Sequence, residues 1–243
     1  MQLTQFYSET DQKFQFSREQ SSNFAKKVAR DFNPIHDVDA KRFCVPGDLL
    51  FAVLLSKTGI SEKMHFDFSG MVNDGVQLSI SHNTDNTYAL ASSDDVNKEF
   101  LTVTRSGEIN NNPEFIEHVV ENYVQFSGKN FPHIMVPLME EKQLMINPAR
   151  PLVIYESMEL EFTRLDLSNP EVEFTGATMD IEGKRGVVSL NFTFTEDGIE
   201  VGHGIKRMIA TGLKPYEHEA MDELVNRFNQ RKEQYLAANS IAA

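Results

Sequence analysis

Four residues in the run VARDFNPIHDVDAKRF, residues 28–43, have the types and spacing that acid–base chemistry needs: Asp31, Asn33, Pro34 and His36. A carboxylate and an imidazole presented from one short segment can hold a single water between them, each within hydrogen-bond reach of ~3 Å. Histidine is the side chain whose proton moves near neutral pH. Partial burial of Asp31 would raise its pKa and make it a usable base. Pro34 disfavours helix at the residue before it, so the run is turn or loop, where binding and catalytic groups concentrate. The plainer alternative is an ordinary turn in which Asp and Asn bond their own backbone. On either reading the Asn33 amide holds the loop and Pro34 stiffens it.

The elements around this run must position it. Ser17 with Gln20 three residues on forms a capping-box pattern opening a helix over 17–29, with Phe24, Ala25 and Val28 on one face. After the loop, CVPGDLLFAVLLSKTGI places Pro46 and Gly47 before a run that is apolar on nearly every side and ends near Gly59. A helix that apolar is buried from all directions. Strand candidates follow in HFDFSGMV, GVQLSISH, TYALASS and EFLTVTR, separated by turn signals such as Asn73-Asp74-Gly75.

Residues 114–124, EFIEHVVENYV, read as a helix, and FPHIMVPLMEEKQLMI as another, mostly apolar one. Two strands then alternate: Met158, Leu160 and Phe162 share one face, and Val188, Leu190, Phe192 and Phe194 share another. Asp197-Gly198 is a strong hairpin signal. Met221, Leu224, Val225, Phe228 and Tyr235 mark a closing amphipathic helix that docks on the body. The two halves repeat one plan of helix, break, buried helix and antiparallel strands. The stretch NNNP at 110–113 is the joint, and the expected units are 1–110, 111–215 and a helix within 216–243.

The run DFNPIH, followed by Ala40 and then PGDLL, resembles the MaoC-like hydratases, the (R)-specific enoyl-CoA hydratases of the hotdog fold. The resemblance implies that Asp31 and His36 are the catalytic pair and that Gly47 is the glycine opening the central helix. It implies an α+β tandem (double) hotdog, each antiparallel sheet wrapped around a buried central helix, with only the first copy keeping its site. The C-terminal amphipathic helix is additional. The activity implied is addition of water to, or its removal from, a trans-2-enoyl thioester. Coenzyme A or acyl carrier protein enters as part of the substrate, and no further cofactor is expected. Enolate charge on the thioester oxygen would meet a backbone N–H at the helix start, most naturally that of Gly47. Asn33 supports the loop and Ser56 is a weaker polar candidate, while the acyl chain would lie along the apolar helix. Lys41 and Arg42, the basic pair nearest the motif, are the choice for the carrier's phosphates. Other basic pairs, Lys206-Arg207 among them, read as solvated surface. Two alternatives stand beside this reading. One is a thioesterase in which Asp31 directs water at the carbonyl. The other is a protein that only binds acyl thioesters or partner proteins, suggested by Arg30 beside Asp31, where the family has glycine.

Bulk properties narrow the field. A formal charge of -13 repels nucleic acid and anionic membrane surfaces, so neither is an expected partner. No apolar stretch reaches the ~18 residues of a membrane span, and the N-terminus lacks the pattern of a secretory signal. Cys44 is the single cysteine, which excludes an internal disulfide and suits a cytoplasmic protein. No metal-ligand spacing occurs. Cys44 reads as a small buried thiol, His133 as a core histidine, and His203, between Gly202 and Gly204, as a site of tight backbone packing. A homodimer is left open.

Overall fold

Period-two alternation along the strands builds one ten-stranded antiparallel sheet, seen in a computed structural model that describes residues 1–84 and 86–240. A short N-terminal hairpin, β1 (Ser8–Thr10) and β2 (Lys13–Gln15), lies at one edge. The first half supplies β3 (Ile60–Phe68), β4 (Leu78–Thr84), β5 (Thr87–Ser92) and β6 (Glu99–Asn110). The second supplies β8 (Val153–Phe162), β9 (Glu171–Glu182), β10 (Arg185–Glu196) and β11 (Ile199–Thr211). The sheet order is β1-β2-β4-β5-β6-β3-β8-β11-β10-β9. Outward from the β3–β8 seam, each half therefore places its first, fourth, third and second strand in turn. The seam itself is a register of five residue pairs, from Lys63↔Glu161 to Asp67↔Ser157, so both halves share one hydrogen-bonded sheet.

Helices cover the inner face. The capping box forms as expected at Ser17 and Gln20 and opens α1 (Arg18–Asn23), which runs on as a π-helical turn over Phe24–Ala29. Then comes α2 (Gly47–Thr58), terminated at Gly59; Leu49 through Leu55 are buried, Gly47 is half-buried, and Ser56 and Lys57 are exposed. Asn110 to Pro113 leads from the end of β6 into the next helix. Asn112 caps α3 (Pro113–Ser127) by accepting from the Glu114 and Phe115 N–H groups, and Pro113 takes the first helical position. Side chains from both halves, among them Phe51, Phe66, Tyr123 and Phe192, meet in one core. A second cluster lies under the C-terminal helix α6 (His218–Ser240), where Met221 and Leu224 are buried. The Asp197-Gly198 hairpin forms as read, both residues at positive φ between paired Glu196 and Ile199.

Four readings are corrected. The 131–146 stretch is not one helix but α4 (Asn130–His133), α5 (Met135–Glu141) and β7 (Leu144–Met145), which pairs with β12 (Lys214–Pro215). Phe131, held extended before Pro132, breaks the helical run. His133 is exposed rather than a core residue, because it ends that four-residue turn. The strand read over HFDFSGMV starts earlier and stops at Phe68. Lys206 is not surface at all: β11 turns it inward, in phase with Gly204 and Met208. Among the described residues no helix is long and apolar enough to cross a membrane. The expected C-terminal unit, 216–243, ends outside the described residues.

Candidate active site

The loop that carries Asp31 is set by backbone geometry at the end of the π-helical turn. Arg30 adopts the left-handed conformation with φ 57°, and the Ala25 carbonyl accepts from both the Arg30 and Asp31 N–H groups. The end of α3 presses against this turn. A Cβ built on Gly128 would stand 1.8 Å from the Ala29 carbonyl oxygen and 3.1 Å from the Asp31 nitrogen, so only glycine admits the approach. The loop then bonds itself as a turn should: Asn33 N–H donates to Asp31 Oδ1 at 2.8 Å, and Ile35 N–H donates to Asn33 Oδ1 at 3.2 Å.

That turn chemistry leaves the second Asp31 oxygen free for other work. Oδ2 lies 3.6 Å from His36 Nε2, too far for a direct hydrogen bond and suited to sharing a water or a substrate atom. The other imidazole nitrogen, Nδ1, is 2.7 Å from the Cys44 carbonyl oxygen, which can only accept, so Nδ1 carries the hydrogen and neutral Nε2 is an acceptor. The Asp31 side chain keeps 27% of its surface, yet it sits deep in the protein. Burial pushes its pKa up, against the opposing pull of His36 and the Asn33 N–H. Arg30 is exposed and is not among the charges acting on Asp31; those are His36, Asp48 and Lys206.

Across from the pair stands a buried polar network absent from the sequence reading. Asp48, in the first turn of α2, accepts from Ser127 Oγ at 2.6 Å through Oδ2 and from Tyr155 Oη at 3.0 Å through Oδ1. Tyr123 meets Tyr155 hydroxyl to hydroxyl. Lys206 Nζ donates to Ser127 Oγ at 2.7 Å and lies 3.9 Å from the centre of the Tyr155 ring. Burial lowers the Lys206 pKa to about 8, with Asp48 and Asp31 holding it from falling further. Burial and the Asp48 charge push both tyrosines well above their ordinary value. One signal pointed here, an acid opening an otherwise apolar helix; Lys206 gave none, because Val201, Ile205 and Ile209 make the opposite face of its strand look the more apolar.

The pair and the network, Tyr123 excepted, line one cavity of about 320 Å³, together with Asn33 and Gly47. The Gly47 Cα faces an aromatic stack. An added Cβ would come within 3.2 Å of the Phe68 ring and 3.3 Å of the Tyr155 ring, which stack with centroids 4.4 Å apart. The far wall is apolar, made by Met135, Ile146, Val153, Met208 and Leu224. This corrects the expected acyl path along α2, whose flanks are filled by protein. Ser56 is exposed, bonds the Val53 carbonyl and lies outside the cavity. Lys41 and Arg42 are exposed and also lie outside it; the arginines that border it, Arg227 and Arg231, come from α6. That helix is held over the cavity by Phe228, whose ring meets Phe32 and Phe131 at centroid distances of 6.0 and 5.3 Å, and by an Arg231–Asp37 ion pair. Cys44 is buried, its Sγ donates to the Val45 carbonyl at 3.2 Å, and burial lifts its pKa to about 11; it is an inert thiol. His203 is exposed, and its flanking glycines do mark tight packing: a Cβ on Gly204 would lie 2.4 Å from the Phe192 ring.

Residues 1–219 match a family described as "Protein of unknown function (DUF3581)", and the chain belongs to that family. No curated protein matches the sequence. Solved structures similar to the chain include an acyl-CoA thioesterase II, TesB2, of Mycobacterium marinum, at 9% identity and TM-score 0.45, covering 89% of this chain and 100% of that one. A MaoC-like dehydratase is similar at 10% identity and TM-score 0.44, covering 86% and 99%. A conserved protein of unknown function with a hotdog fold from Alicyclobacillus acidocaldarius is similar at 8% identity and TM-score 0.46, covering 89% and 99%.

Proposed function

We propose that the chain is a tandem hotdog protein whose cavity binds an acyl thioester and adds water to, or removes it from, a trans-2-enoyl group. The repeated strand order on either side of the β3–β8 seam supports the tandem reading, with 1–110 and 111–215 as its two copies. One observation carries the function: Asp31 Oδ2 and His36 Nε2, 3.6 Å apart, face the same cavity as the start of α2 and a wall of apolar side chains. Water held between the two groups loses a proton to the pair as its oxygen bonds the β-carbon. The electron density moves onto the thioester oxygen, and the pair returns a proton to the α-carbon. The Gly47 N–H, one of the unpaired donors of a helix start, takes up part of the charge on that oxygen. The acyl chain extends toward Met208 and Leu224. The carrier's phosphates meet Arg227 and Arg231 on α6, in preference to Lys41 and Arg42.

Thioester hydrolysis is the second reading, favoured by the same 3.6 Å gap, because a water held by Asp31 and His36 is equally placed to attack a carbonyl. A single assay separates the two. The protein is mixed with short and medium trans-2-enoyl-CoA, and both the conjugated-thioester absorbance and free thiol are followed, beside an Asp31→Asn control. Absorbance lost without thiol release, and not lost in the control, supports hydration; thiol release supports hydrolysis. An Asp31→Asn variant with undiminished turnover would overturn both.

A further inference from the structure

Lys206 is a buried ammonium that the acid–base pair does not use. The inward positions of β11 are Gly202, Gly204, Lys206, Met208 and Ala210, so the lysine interrupts a small or apolar series while only 3% exposed. Burying an ammonium costs several kcal/mol unless a partner compensates it. Here the compensation is indirect. Among the described residues no carboxylate is in ion-pair contact with Nζ; the link to Asp48 runs through Ser127, at 2.7 and then 2.6 Å. The Ser127 proton goes to Asp48, whose other oxygen is taken by Tyr155 at 3.0 Å. Beyond that serine, among the described residues, Nζ has only the Tyr155 ring, 3.9 Å away, and the cavity that Asp31, His36 and Gly47 line. Gly47 adjoins the same ring, since its absent Cβ would fall 3.3 Å from Tyr155 Cδ2. The start of α2 and the ammonium thus converge on one spot in the wall.

We propose that Lys206 is a catalytic residue of this site, donating an N–H hydrogen bond to the thioester carbonyl oxygen and taking up the negative charge that develops there. The proposal rests on the acyl-thioester reading and adds a second donor to the Gly47 N–H. Asp48 and Ser127 are then positioning residues, which hold the ammonium without neutralising it by direct contact. A preorganised donor in a dry site contributes ~10²–10³ in rate. Asp31 and His36 come from the first half of the chain and Lys206 from the second, so the site draws on both.

The test uses the full chain and two variants, Lys206→Met and Lys206→Arg. Lys206→Met lowers kcat by roughly 100-fold with little change in KM, and Lys206→Arg restores part of it. Unchanged kcat in a folded Lys206→Met protein overturns the proposal. A measurement independent of turnover uses a 2-oxoalkyl thioether of coenzyme A, ¹³C-labelled at the carbonyl, which can be neither hydrated nor hydrolysed. In the wild type the bound carbonyl resonance moves downfield, and in Lys206→Met it does not; equal shifts in both overturn the proposal. Should Lys206→Met not fold, the wild-type signal is followed against pH. The groups facing Nζ are Asp31 and His36 on the loop, Asp48 on α2, Tyr123 on α3 and Tyr155 on β8. The downfield shift is lost as the ammonium deprotonates near pH 8 and persists in Lys206→Arg, whose guanidinium keeps its proton. A shift that fades equally in both assigns the effect to Asp31 or His36 and overturns the proposal. Binding and polarisation without turnover would refute the proposed reaction while upholding Lys206 as the carbonyl donor. A wild type that binds no acyl-CoA would overturn both.

Discussion

Replacing Gly128 by alanine sets two physical effects against each other. Gly128 has helical angles, φ -66° and ψ -16°, where alanine is favoured over glycine by up to ~1 kcal/mol. By propensity alone the variant is the more stable protein. The contact gives the opposite sign. The new Cβ would stand 1.8 Å from the Ala29 oxygen and 2.8 Å from the Ala29 carbon, both backbone atoms with no rotamer to yield. Relief to about 3.0 Å requires the end of α3 and the Asp31 turn to part by about 1.2 Å, the difference between 3.0 and 1.8. Overpacking of that kind costs ~1–3 kcal/mol, leaving a net loss of up to about 2 kcal/mol once ~1 kcal/mol of propensity is credited. The displaced backbone carries Asp31, and a ~1 Å misplacement of a reacting group costs about 100-fold in rate. Urea unfolding supplies the stability, with the slope checked so that a midpoint change is read as a change in the folded state. Amide chemical shifts of residues 31–36 report the loop, and turnover of enoyl-CoA reports the site. A Gly128→Ala protein that is as stable as the wild type, with unshifted loop amides, would refute the reasoning.

Asp31→Asn keeps the fold while abolishing turnover. Because burial raises the Asp31 pKa, the carboxylate is disfavoured in the folded state at neutral pH, and thermal unfolding at pH 7 finds the amide variant at least as stable. In alkali, the stability of the wild type relative to Lys206→Met rises between about pH 8 and pH 10. The folded state releases the Lys206 proton near 8 while the unfolded chain holds it to 10.5, so the unfolded state binds more protons in that window. The full effect on that difference is about 3 kcal/mol; Cys44 from about pH 9 and the tyrosines above pH 10 oppose it in both proteins, because they ionise in the unfolded chain and stay protonated when buried. A wild-type-minus-Lys206→Met difference in urea midpoints that stays flat from pH 8 to pH 10 would count against it. Phe228→Ala removes the edge-to-face contacts with Phe32 and Phe131 and costs about 2 kcal/mol, a discounted core value for a half-buried ring. It frees α6 from the cavity, which limited proteolysis detects as early cleavage within residues 218–240; an unchanged cleavage pattern would show that α6 is held by other contacts.

Much of the chain was legible because its signals are local. The Ser17–Gln20 capping box, the Gly47–Gly59 helix and the Asp197-Gly198 turn each depend on a few neighbouring residues, and each forms where the sequence places it. The loop of Asp31, Asn33, Pro34 and His36 belongs to this group, since its hydrogen bonds span no more than eight residues. The 131–146 segment failed for a reason equally local, the effect of Pro132 on Phe131, outweighed in the reading by apolar composition.

The rest depended on distance in sequence. Lys206 and Arg207 look alike as a basic pair, and only the register of β11 against β8 and β10 turns the first inward and the second out. Ser127 and Asp48 are 79 residues apart, and Tyr155 and Asp48 are 107 apart, so no spacing rule connects them. Likewise Lys41 and Arg42 are near the motif in sequence but outside the cavity, whereas Arg227 and Arg231 border it because α6 returns from the far end of the chain. Sequence alone determined the turn that carries Asp31 and His36, because a tight turn is a matter of neighbouring dihedrals and Asx bonds. Tertiary structure decided what that pair faces, because burial, desolvation and the meeting of charges exist only once the sheet has closed over the helices.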